Sequence, residues 1–190
     1  MKIEAKHISK SYDGKVILQD FSFAVSSGEI KCIMANSGGG KTTFLRLLLG
    51  LETPDSGEII LPSPCRFGTV FQENRLLEHL DALANLRFAL GADYDPSLSS
   101  ALLAELGLAD VSGQPVKEYS GGMKRRLALA RALLAKSDAL ILDEPFTGLD
   151  EENKAKCIQL ILRCSSGKPV IVVTHDAEDA YALHAEIIRL

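Results

Sequence analysis

A glycine-rich stretch at residues 35–43 constrains this sequence more than any other feature. It reads AlaAsnSerGlyGlyGlyLysThrThr and matches the relaxed form of a phosphate-binding loop, with Ala35 where the strict pattern has glycine. The largely apolar residues 30–34 predict a strand before the loop, and the apolar side chains within residues 44–49 predict a helix after it. Strand, glycine-rich loop and helix form the order that lets backbone N–H groups and a helix N-terminus surround a phosphate.

The polar side chains at the end of this loop each have a predicted role. Lys41 would reach the terminal phosphates of a nucleotide, the Thr42 hydroxyl would ligate Mg²⁺, and Thr43 would hydrogen-bond a nearer phosphate. The candidate nucleotide-binding residues of the loop are Asn36, Ser37, Gly38, Gly39, Gly40, Lys41, Thr42 and Thr43. The alternative that this motif alone leaves open is a flexible glycine-rich linker with a solvated lysine.

The composition excludes several classes of protein. A length of 190 residues suits one domain with a buried core, and a net charge of −4 does not favour a nonspecific nucleic-acid surface. No apolar run approaches the roughly 20 residues that a membrane helix needs, and the N-terminus has no secretory signal. The four cysteines have neither CxxC spacing nor the density of a disulfide framework. We therefore expect a soluble, intracellular protein that reaches a membrane only through a partner.

The N-terminal residues predict an antiparallel sheet. Residues 2–8 predict a first strand, Asp13-Gly14 is a strong hairpin signal, and residues 16–25 predict a second strand. Tyr12 lies just before the turn. It is either a half-buried strand aromatic or a platform on which a nucleotide base stacks.

After the loop helix, the sequence changes from strand signals to helix signals. Residues 66–71 predict a strand followed by Gln72, which is either a surface residue or a Mg²⁺ ligand that touches the attacking water. Leucines then recur at helical spacing between residues 73 and 117. We expect a helical subdomain at about residues 73–135, inserted into a single domain that covers residues 1–190.

A long helix is predicted to begin after Ser120, which is a favourable N-cap residue. Gly121 and Gly122 follow it, and residues 124–126 are all basic. Cations near a helix N-terminus oppose its dipole, so the basic run makes sense if an anion binds there. The alternative is a solvated basic face.

Two further apolar segments predict strands with chemically capable side chains at their ends. Residues 139–142 predict a buried strand of a parallel sheet that leads into Asp143 and Glu144. Ligands of open α/β sheets bind at the carboxyl ends of strands, so Asp143 would hold Mg²⁺ through water and Glu144 would polarise a water that attacks a γ-phosphate. The alternative is a plain helix cap. Residues 170–174 predict another strand, and His175 after it is either satisfied within its loop or hydrogen-bonds the γ-phosphate.

With these pieces in order, the chain resembles the nucleotide-binding subunit of an ATP-binding cassette (ABC) transporter over nearly all of its length. A phosphate-binding loop is shared by many NTPases, whereas Ser-Gly-Gly before a basic helix, followed by Asp-Glu-Pro and Gly-Leu-Asp, is specific to this family. The resemblance implies an α/β fold: a P-loop NTPase core of mostly parallel sheet, an N-terminal antiparallel β subdomain and an inserted α-helical subdomain.

The resemblance also implies the cofactors ATP and Mg²⁺ and the hydrolysis of ATP. The implied catalytic residues are Lys41, Gln72, Glu144 and His175. The implied metal ligands are Thr42, Gln72 and Asp143. Beyond the phosphate-binding loop, the implied nucleotide contacts are Tyr12, Ser120, Gly121 and Gly122.

The partners are implied in the same way. In this family two copies form a head-to-tail dimer, and each ATP is capped by the Ser-Gly-Gly segment of the other copy. The implied partners are therefore a second copy, integral-membrane permease subunits and a solute-binding protein, with no nucleic acid. The protein would be cytoplasmic and would lie on the inner face of the cell membrane through the permease.

Two other functions stay open at this point. One is a soluble ABC ATPase without a transport role, although such proteins usually carry two cassettes or large inserts. The other is a nucleotide-binding regulatory module with weak turnover, which the intact catalytic residues oppose and Met123 leaves open.

Residues 71–77 resemble one subgroup of this family more closely. They are similar to the ATPases of bacterial importers for nitrate, sulfonate and taurine-type anions. Glu-His at residues 78–79 replaces the Pro-Trp pair that is usual there. Tyr119 and Met123 stand where the family signature commonly has Leu and Gln, and loss of that amide is expected to alter nucleotide affinity. The sequence stops at Leu190, where most relatives continue, so no built-in sensor domain is expected.

Overall fold

The computed structural model describes residues 1–36 and 38–190, and within them the chain forms eight β-strands and six α-helices. The strands are β1 (Lys2–Tyr12), β2 (Lys15–Ser26), β3 (Ile30–Met34), β4 (Ser56–Ile60), β5 (Phe67–Val70), β6 (Ala139–Asp143), β7 (Val170–Val173) and β8 (Glu186–Arg189). The helices are α1 (Lys41–Leu48), α2 (Ala82–Leu90), α3 (Pro96–Glu105), α4 (Gly121–Leu134), α5 (Glu151–Cys164) and α6 (Ala177–Ala182). Short 3-10 helices cover Gly91–Asp93, Ala109–Val111 and Val116–Glu118.

The chain divides into two compact units, each built from separate stretches of sequence. The first unit comprises Met1–Phe67, Asp138–Ile141 and Ser165–Leu190, and the second comprises Gly68–Ser137 and Leu142–Cys164. The phosphate-binding loop belongs to the first unit, and most of the helical sequence belongs to the second.

An antiparallel sheet with the order β2-β1-β4 contains the predicted hairpin. Tyr12 pairs with Lys15 across Asp13 and Gly14, whose φ angles are 48° and 79°. Two consecutive residues with positive φ form the turn that matches the twist of a two-residue hairpin, and Asp-Gly favours that turn. The hairpin prediction is therefore confirmed.

Aromatic packing attaches α1 to this antiparallel sheet. Phe44 is fully buried, and its ring meets those of Phe21 and Phe23 edge-on, with centroid distances of 5.2 Å in both pairs. Such edge-to-face pairs add about 0.5–1.5 kcal/mol each beyond the apolar area that they bury. The Phe44 ring therefore holds the first turn of α1, which follows the phosphate-binding loop, against the antiparallel sheet.

The second sheet has the strand order β5-β6-β7-β3-β8. Strand β3 pairs in parallel with both β7 and β8. Every residue of β6 and β7 is buried, as expected for strands covered on both faces. The predicted α/β fold, with a parallel sheet and an N-terminal antiparallel sheet, is confirmed.

The leucines recur at helical spacing from residue 76, but the helix itself begins later. The structure is irregular up to Asp81, and α2 begins only at Ala82. The Asp81 carboxylate accepts a hydrogen bond from the Ala84 N–H at 2.7 Å, which caps the helix at that point. The buried Asn85 side chain accepts from the Leu77 N–H at 2.8 Å and donates to the Leu77 carbonyl at 3.0 Å. Side-chain hydrogen bonds thus take the place of helical ones, although the leucine spacing is helical.

Candidate functional site

The phosphate-binding loop of the first unit connects β3 to α1, as the sequence predicts. The Gly39 N–H donates to the Asn36 carbonyl at 2.9 Å. Gly38 and Gly40 have φ angles of 77° and 88°, which side chains with a Cβ rarely adopt. Gly40 precedes α1, and its carbonyl accepts the first helical hydrogen bond, from Phe44 at 2.8 Å. Ser37, which the sequence places among the nucleotide-binding residues, lies outside the described residues.

Lys41 and Thr42 form the first turn of α1. The Lys41 ammonium donates to the Ala35 carbonyl at 2.6 Å and to the Asn36 carbonyl at 3.4 Å, so the charge lies over the loop. Thr42 is exposed at the helix N-terminus, where the backbone N–H groups have no helical acceptor. A lysine and N–H groups that lack a helical acceptor, all within one turn, form an anion-binding arrangement.

Tyr12 is the last residue of β1, and 39% of its surface is exposed. Its hydroxyl donates to the Glu52 carboxylate, which also accepts from Arg46 at 3.2 Å. The hydrogen bond to Glu52, followed by burial, raises the pKa of Tyr12, and a hydrogen bond with Thr43 acts in the opposite direction. The structure therefore brings Tyr12 next to the first turn of α1. Nothing in the sequence indicated Glu52, because its contact with Tyr12 is tertiary.

His175 follows the strand that neighbours β3. Strands β3 and β7 pair in parallel, with Ile33 opposite Val173, and the Thr174 N–H donates to the Ile33 carbonyl at 3.4 Å. His175 is the next residue and is exposed. It therefore lies at the carboxyl edge of the same strand pair from which the phosphate-binding loop begins.

The second unit contains the predicted acidic pair. Asp143 is the last residue of β6 and only 8% of its surface is exposed. Glu144 follows it, half-buried, with a φ angle of 49°. Gln72 is exposed two residues after the end of β5. All three thus lie at or just beyond the carboxyl end of a strand, as the sequence predicts.

The Ser-Gly-Gly segment opens α4, also in the second unit. The Ser120 hydroxyl caps the helix by accepting from the Met123 N–H at 3.2 Å, which confirms the N-cap prediction. A Cβ on Gly122 would lie 2.8 Å from the Gly148 carbonyl oxygen, whereas a Cβ on Gly121 would meet nothing within 4 Å. Gly122 therefore allows a close contact with the Gly-Leu-Asp segment, and Asp150 of that segment caps α5 by accepting from the Asn153 N–H at 2.8 Å.

Tyr119 is a packing residue. Only 5% of its surface is exposed, and its hydroxyl donates to the Val111 carbonyl at 2.7 Å. Burial, with a smaller contribution from Asp81, raises the pKa of Tyr119. The departure from the family's usual leucine is thus accommodated by a hydrogen bond within the second unit.

The basic run after the Ser-Gly-Gly segment is not a solvated face. Lys124 pairs with Glu78 at 2.7 Å, and this hydrogen bond lowers the pKa of Glu78. Arg126 donates to the Leu106 carbonyl. Arg125 is buried, with 3% of its surface exposed, and donates to backbone carbonyls. Sequence reasoning gave Arg125 no individual role, because consecutive basic residues do not reveal which side chain turns inward.

Residues 1–36 and 38–190 contain neither a group of three or more His, Cys, Asp and Glu side chains that could hold a metal ion nor a helix long and apolar enough to cross a membrane. The predicted Mg²⁺ ligands are of a different kind, because they include threonine and glutamine oxygens.

Comparison with known proteins gives a family match. Residues 18–147 match the family model described as ABC transporter. The aliphatic sulfonates import ATP-binding protein SsuB 1 of Xanthomonas axonopodis pv. citri is 38% identical, with 96% of this chain and 78% of that protein covered. The taurine import ATP-binding protein TauB of Yersinia pestis is 37% identical over 94% of this chain and 75% of that protein.

A polyamine relative and a solved structure extend this comparison. The spermidine/putrescine import ATP-binding protein PotA of Spiroplasma citri is 36% identical over 98% of this chain, which spans 58% of that protein. A dimeric, post-hydrolysis structure of an ATP-binding cassette bound to ADP and Pi superposes with a TM-score of 0.87. It is 28% identical, and the superposition covers 99% of this chain and 94% of that one.

Proposed function

Because this chain belongs to the ABC transporter family and is an ATP-binding, ATP-hydrolysing cassette, we propose that it powers a bacterial importer of small organic solutes. The observation that carries the ATPase assignment is the loop between β3 and α1. There, two glycines with positive φ precede the helix N-terminus, and Lys41 is the first residue of that helix. This arrangement suits the phosphates of a nucleoside triphosphate.

The proposed chemistry assigns one task to each polar residue. Lys41 offsets the charge that develops on the phosphates, since phosphoryl transfer is catalysed mainly by positioning and electrostatic stabilisation. Glu144 polarises the attacking water, Gln72 contacts that water, and His175 holds the γ-phosphate. Tyr12 stacks on the base through its exposed ring.

The side chains proposed for Mg²⁺ suit that ion. Thr42 offers a hydroxyl oxygen, Gln72 an amide oxygen and Asp143 a carboxylate. Mg²⁺ prefers such hard oxygen ligands and is usually held by one or two carboxylates together with substrate phosphates. The bound ion would offset charge on the phosphate oxygens.

The proposed partners follow from the relatives and the solved dimer. Import ATP-binding proteins such as SsuB 1 support permease subunits as partners, and the dimeric cassette supports a second copy of this chain. In the proposed head-to-tail dimer, Ser120, Gly121 and Gly122 of one copy cap the ATP held by the other. The permease would place the protein on the cytoplasmic face of the membrane, and a solute-binding protein would deliver the solute.

The proposed solute is an alkanesulfonate or taurine. The names of SsuB 1 and TauB support it, and so does the resemblance of residues 71–77 to importers of such anions. PotA, with similar identity, is named for polyamines, which makes a polyamine the competing solute.

The ATPase assignment is tested with purified wild-type protein, Lys41→Ala and Glu144→Gln. We expect steady-state hydrolysis by the wild type, loss of ATP binding in Lys41→Ala, and tight ATP binding with little turnover in Glu144→Gln. Sustained hydrolysis by Glu144→Gln would remove the assigned role of that carboxylate.

The solute is tested in cells that lack this chain. We expect them to lose growth on taurine or an alkanesulfonate as sole sulfur source, and the wild-type chain, but not Lys41→Ala, to restore it. Normal growth on both, combined with loss of spermidine uptake, would reassign the solute to the polyamines.

A further inference from the structure

Arg125 carries a buried positive charge close to the acidic pair of the second unit. It lies in the second turn of α4, and only 3% of its surface is exposed. Burial lowers the pKa of the guanidinium, while the carboxylates of Asp143 and Glu144 act in the opposite direction. An arginine keeps its proton in proteins, so its N–H groups must find acceptors inside the unit.

One side of the guanidinium binds the backbone at the end of β6. Its Nε donates to the Glu144 carbonyl at 3.0 Å, and Nη2 donates to the same carbonyl at 2.6 Å. Nη2 also donates to the Asp143 carbonyl. The arginine thus holds both peptide groups that carry the proposed metal ligand and the proposed base.

The other side of the guanidinium binds the segment after β5. Nη1 donates to the Asn74 side-chain oxygen at 3.0 Å, to the Gln72 carbonyl at 3.3 Å and to the Phe71 carbonyl. One planar group therefore joins the backbone of Gln72 to the backbone of Glu144. Its five N–H donors lie in a rigid planar fork, whereas the three donors of an ammonium group rotate about one nitrogen.

The backbone of Glu144 needs such support. Its φ angle of 49° lies in the left-handed region, which residues with a Cβ rarely adopt. Residues held in sparsely populated regions persist when the surrounding structure over-determines them. Two hydrogen bonds from Arg125 to the Glu144 carbonyl do this, and the Thr147 N–H donates to the same oxygen at 3.3 Å.

We propose that Arg125 is a positioning residue for ATP hydrolysis: by holding the backbone of Glu144 and of Gln72 in one network, it aims the side chains that act on the attacking water. This inference rests on the proposed function. It assigns Arg125 a role through other residues, without contact to the nucleotide.

Arg131 provides a matched control on the same helix. It is half-buried and also donates to backbone carbonyls, those of Asn74 at 2.9 Å and Arg75 at 2.7 Å. These contacts reach the segment after β5 but not the two peptide groups at the end of β6. Arg125→Met and Arg131→Met therefore remove the same kind of group with different consequences for Glu144.

The experiment compares kcat and KM for ATP among these variants. Since misplacing a catalytic group by about 1 Å can cost about 100-fold in rate, we expect Arg125→Met to lower kcat by about that factor. Its KM should stay within about threefold of the wild type. Arg125→Gln, which keeps two N–H donors, should recover part of kcat, and Arg131→Met should keep most of it. Equal losses of kcat in the two methionine variants would overturn the proposal.

Amide hydrogen exchange tests the same inference without catalysis. We expect Arg125→Met to accelerate exchange at residues 71–74 and at residues 143–149, and Arg131→Met to accelerate it only near residues 74–75. Unchanged exchange at residues 143–149 in Arg125→Met would refute the positioning role. If the wild type did not hydrolyse ATP, the proposed function would fail, and exchange alone would decide whether Arg125 holds Glu144.

Discussion

The two glycine-rich segments of this chain use glycine for different physical reasons. In the phosphate-binding loop, Gly38 and Gly40 have φ angles of 77° and 88°. In the Ser-Gly-Gly segment, neither glycine has a left-handed φ, and only Gly122 is crowded, by the Gly148 carbonyl. The first segment needs glycine for its backbone conformation and, at Gly39 and Gly40, also for space, whereas the second needs it for a close approach alone.

The left-handed φ is a local property of the chain, whereas the crowding at a Cβ position is a tertiary property. A left-handed φ is a property of the loop itself, so the motif reveals it in the sequence. A crowded Cβ position depends on a segment more than twenty residues away along the chain, and only the structure shows it. Substitutions that add one methyl group can therefore test the two reasons separately.

The largest effect is expected from Gly40→Ala. A Cβ there would combine a left-handed φ with contacts of 2.9 Å to Leu18 Cδ2 and 3.1 Å to the Ile17 carbonyl. The left-handed conformation costs about 1–2 kcal/mol, and crowding in a packed region adds about 1–3 kcal/mol. We expect the free energy of unfolding to fall by about 2–5 kcal/mol in denaturant titrations, with loss of ATP binding.

Gly38→Ala is the matched control for this loop. Gly38 has a similar φ, but a Cβ there would meet nothing within 4 Å, so the expected loss is only about 1–2 kcal/mol. If both variants lost the same free energy of unfolding, the left-handed conformation alone would explain why glycine is needed at position 40. The contacts with Leu18 and Ile17 would then add nothing.

A smaller effect is expected from Gly122→Ala. The added Cβ would approach the Gly148 carbonyl to 2.8 Å, so α4 or the Gly-Leu-Asp segment must shift. Such overpacking costs about 1–3 kcal/mol. Thermal unfolding followed by circular dichroism measures it. Gly121→Ala adds the same methyl group in open space and within a helix, where Ala is favoured by up to about 1 kcal/mol. A Gly121 variant that is less stable than the Gly122 variant would contradict the close-approach explanation.

The sequence predicted the parts of the molecule that local chemistry determines. The hairpin at Asp13-Gly14, the buried strand before Asp143 and the Ser120 cap all follow from patterns a few residues long. The family resemblance then indicated which residues form the site, because the spacing of their motifs is specific to ABC cassettes. Their individual roles stay predictions, since they depend on a bound nucleotide.

What the sequence did not predict depends on contacts between distant residues. The leucines before Asp81 have helical spacing, yet the buried Asn85 side chain replaces helical hydrogen bonds there. Arg125 is one of three consecutive basic residues, and only the fold turns it toward Glu144. Periodicity in the sequence shows only which residues are apolar. The irregular segment before Asp81 and the inward orientation of Arg125 depend instead on which polar groups form hydrogen bonds with each other.

Tyr119→Phe provides the smallest and most specific test of this comparison. If tertiary contacts determine the conformation of the Ser-Gly-Gly segment, Tyr119, which directly precedes it, should stabilise the protein through its own tertiary contact. The Tyr119 hydroxyl donates to the Val111 carbonyl at 2.7 Å, and phenylalanine leaves that acceptor without its donor. A typical buried hydrogen bond contributes about 1 kcal/mol, which for a chain of this size corresponds to a fall in Tm of about 2–4 °C.

ATP affinity, measured with a fluorescent nucleotide, should not change, because the hydroxyl is used within the second unit. An unchanged Tm with weaker ATP binding would instead place the hydroxyl among the nucleotide contacts, and the signature would then depend on Tyr119 directly.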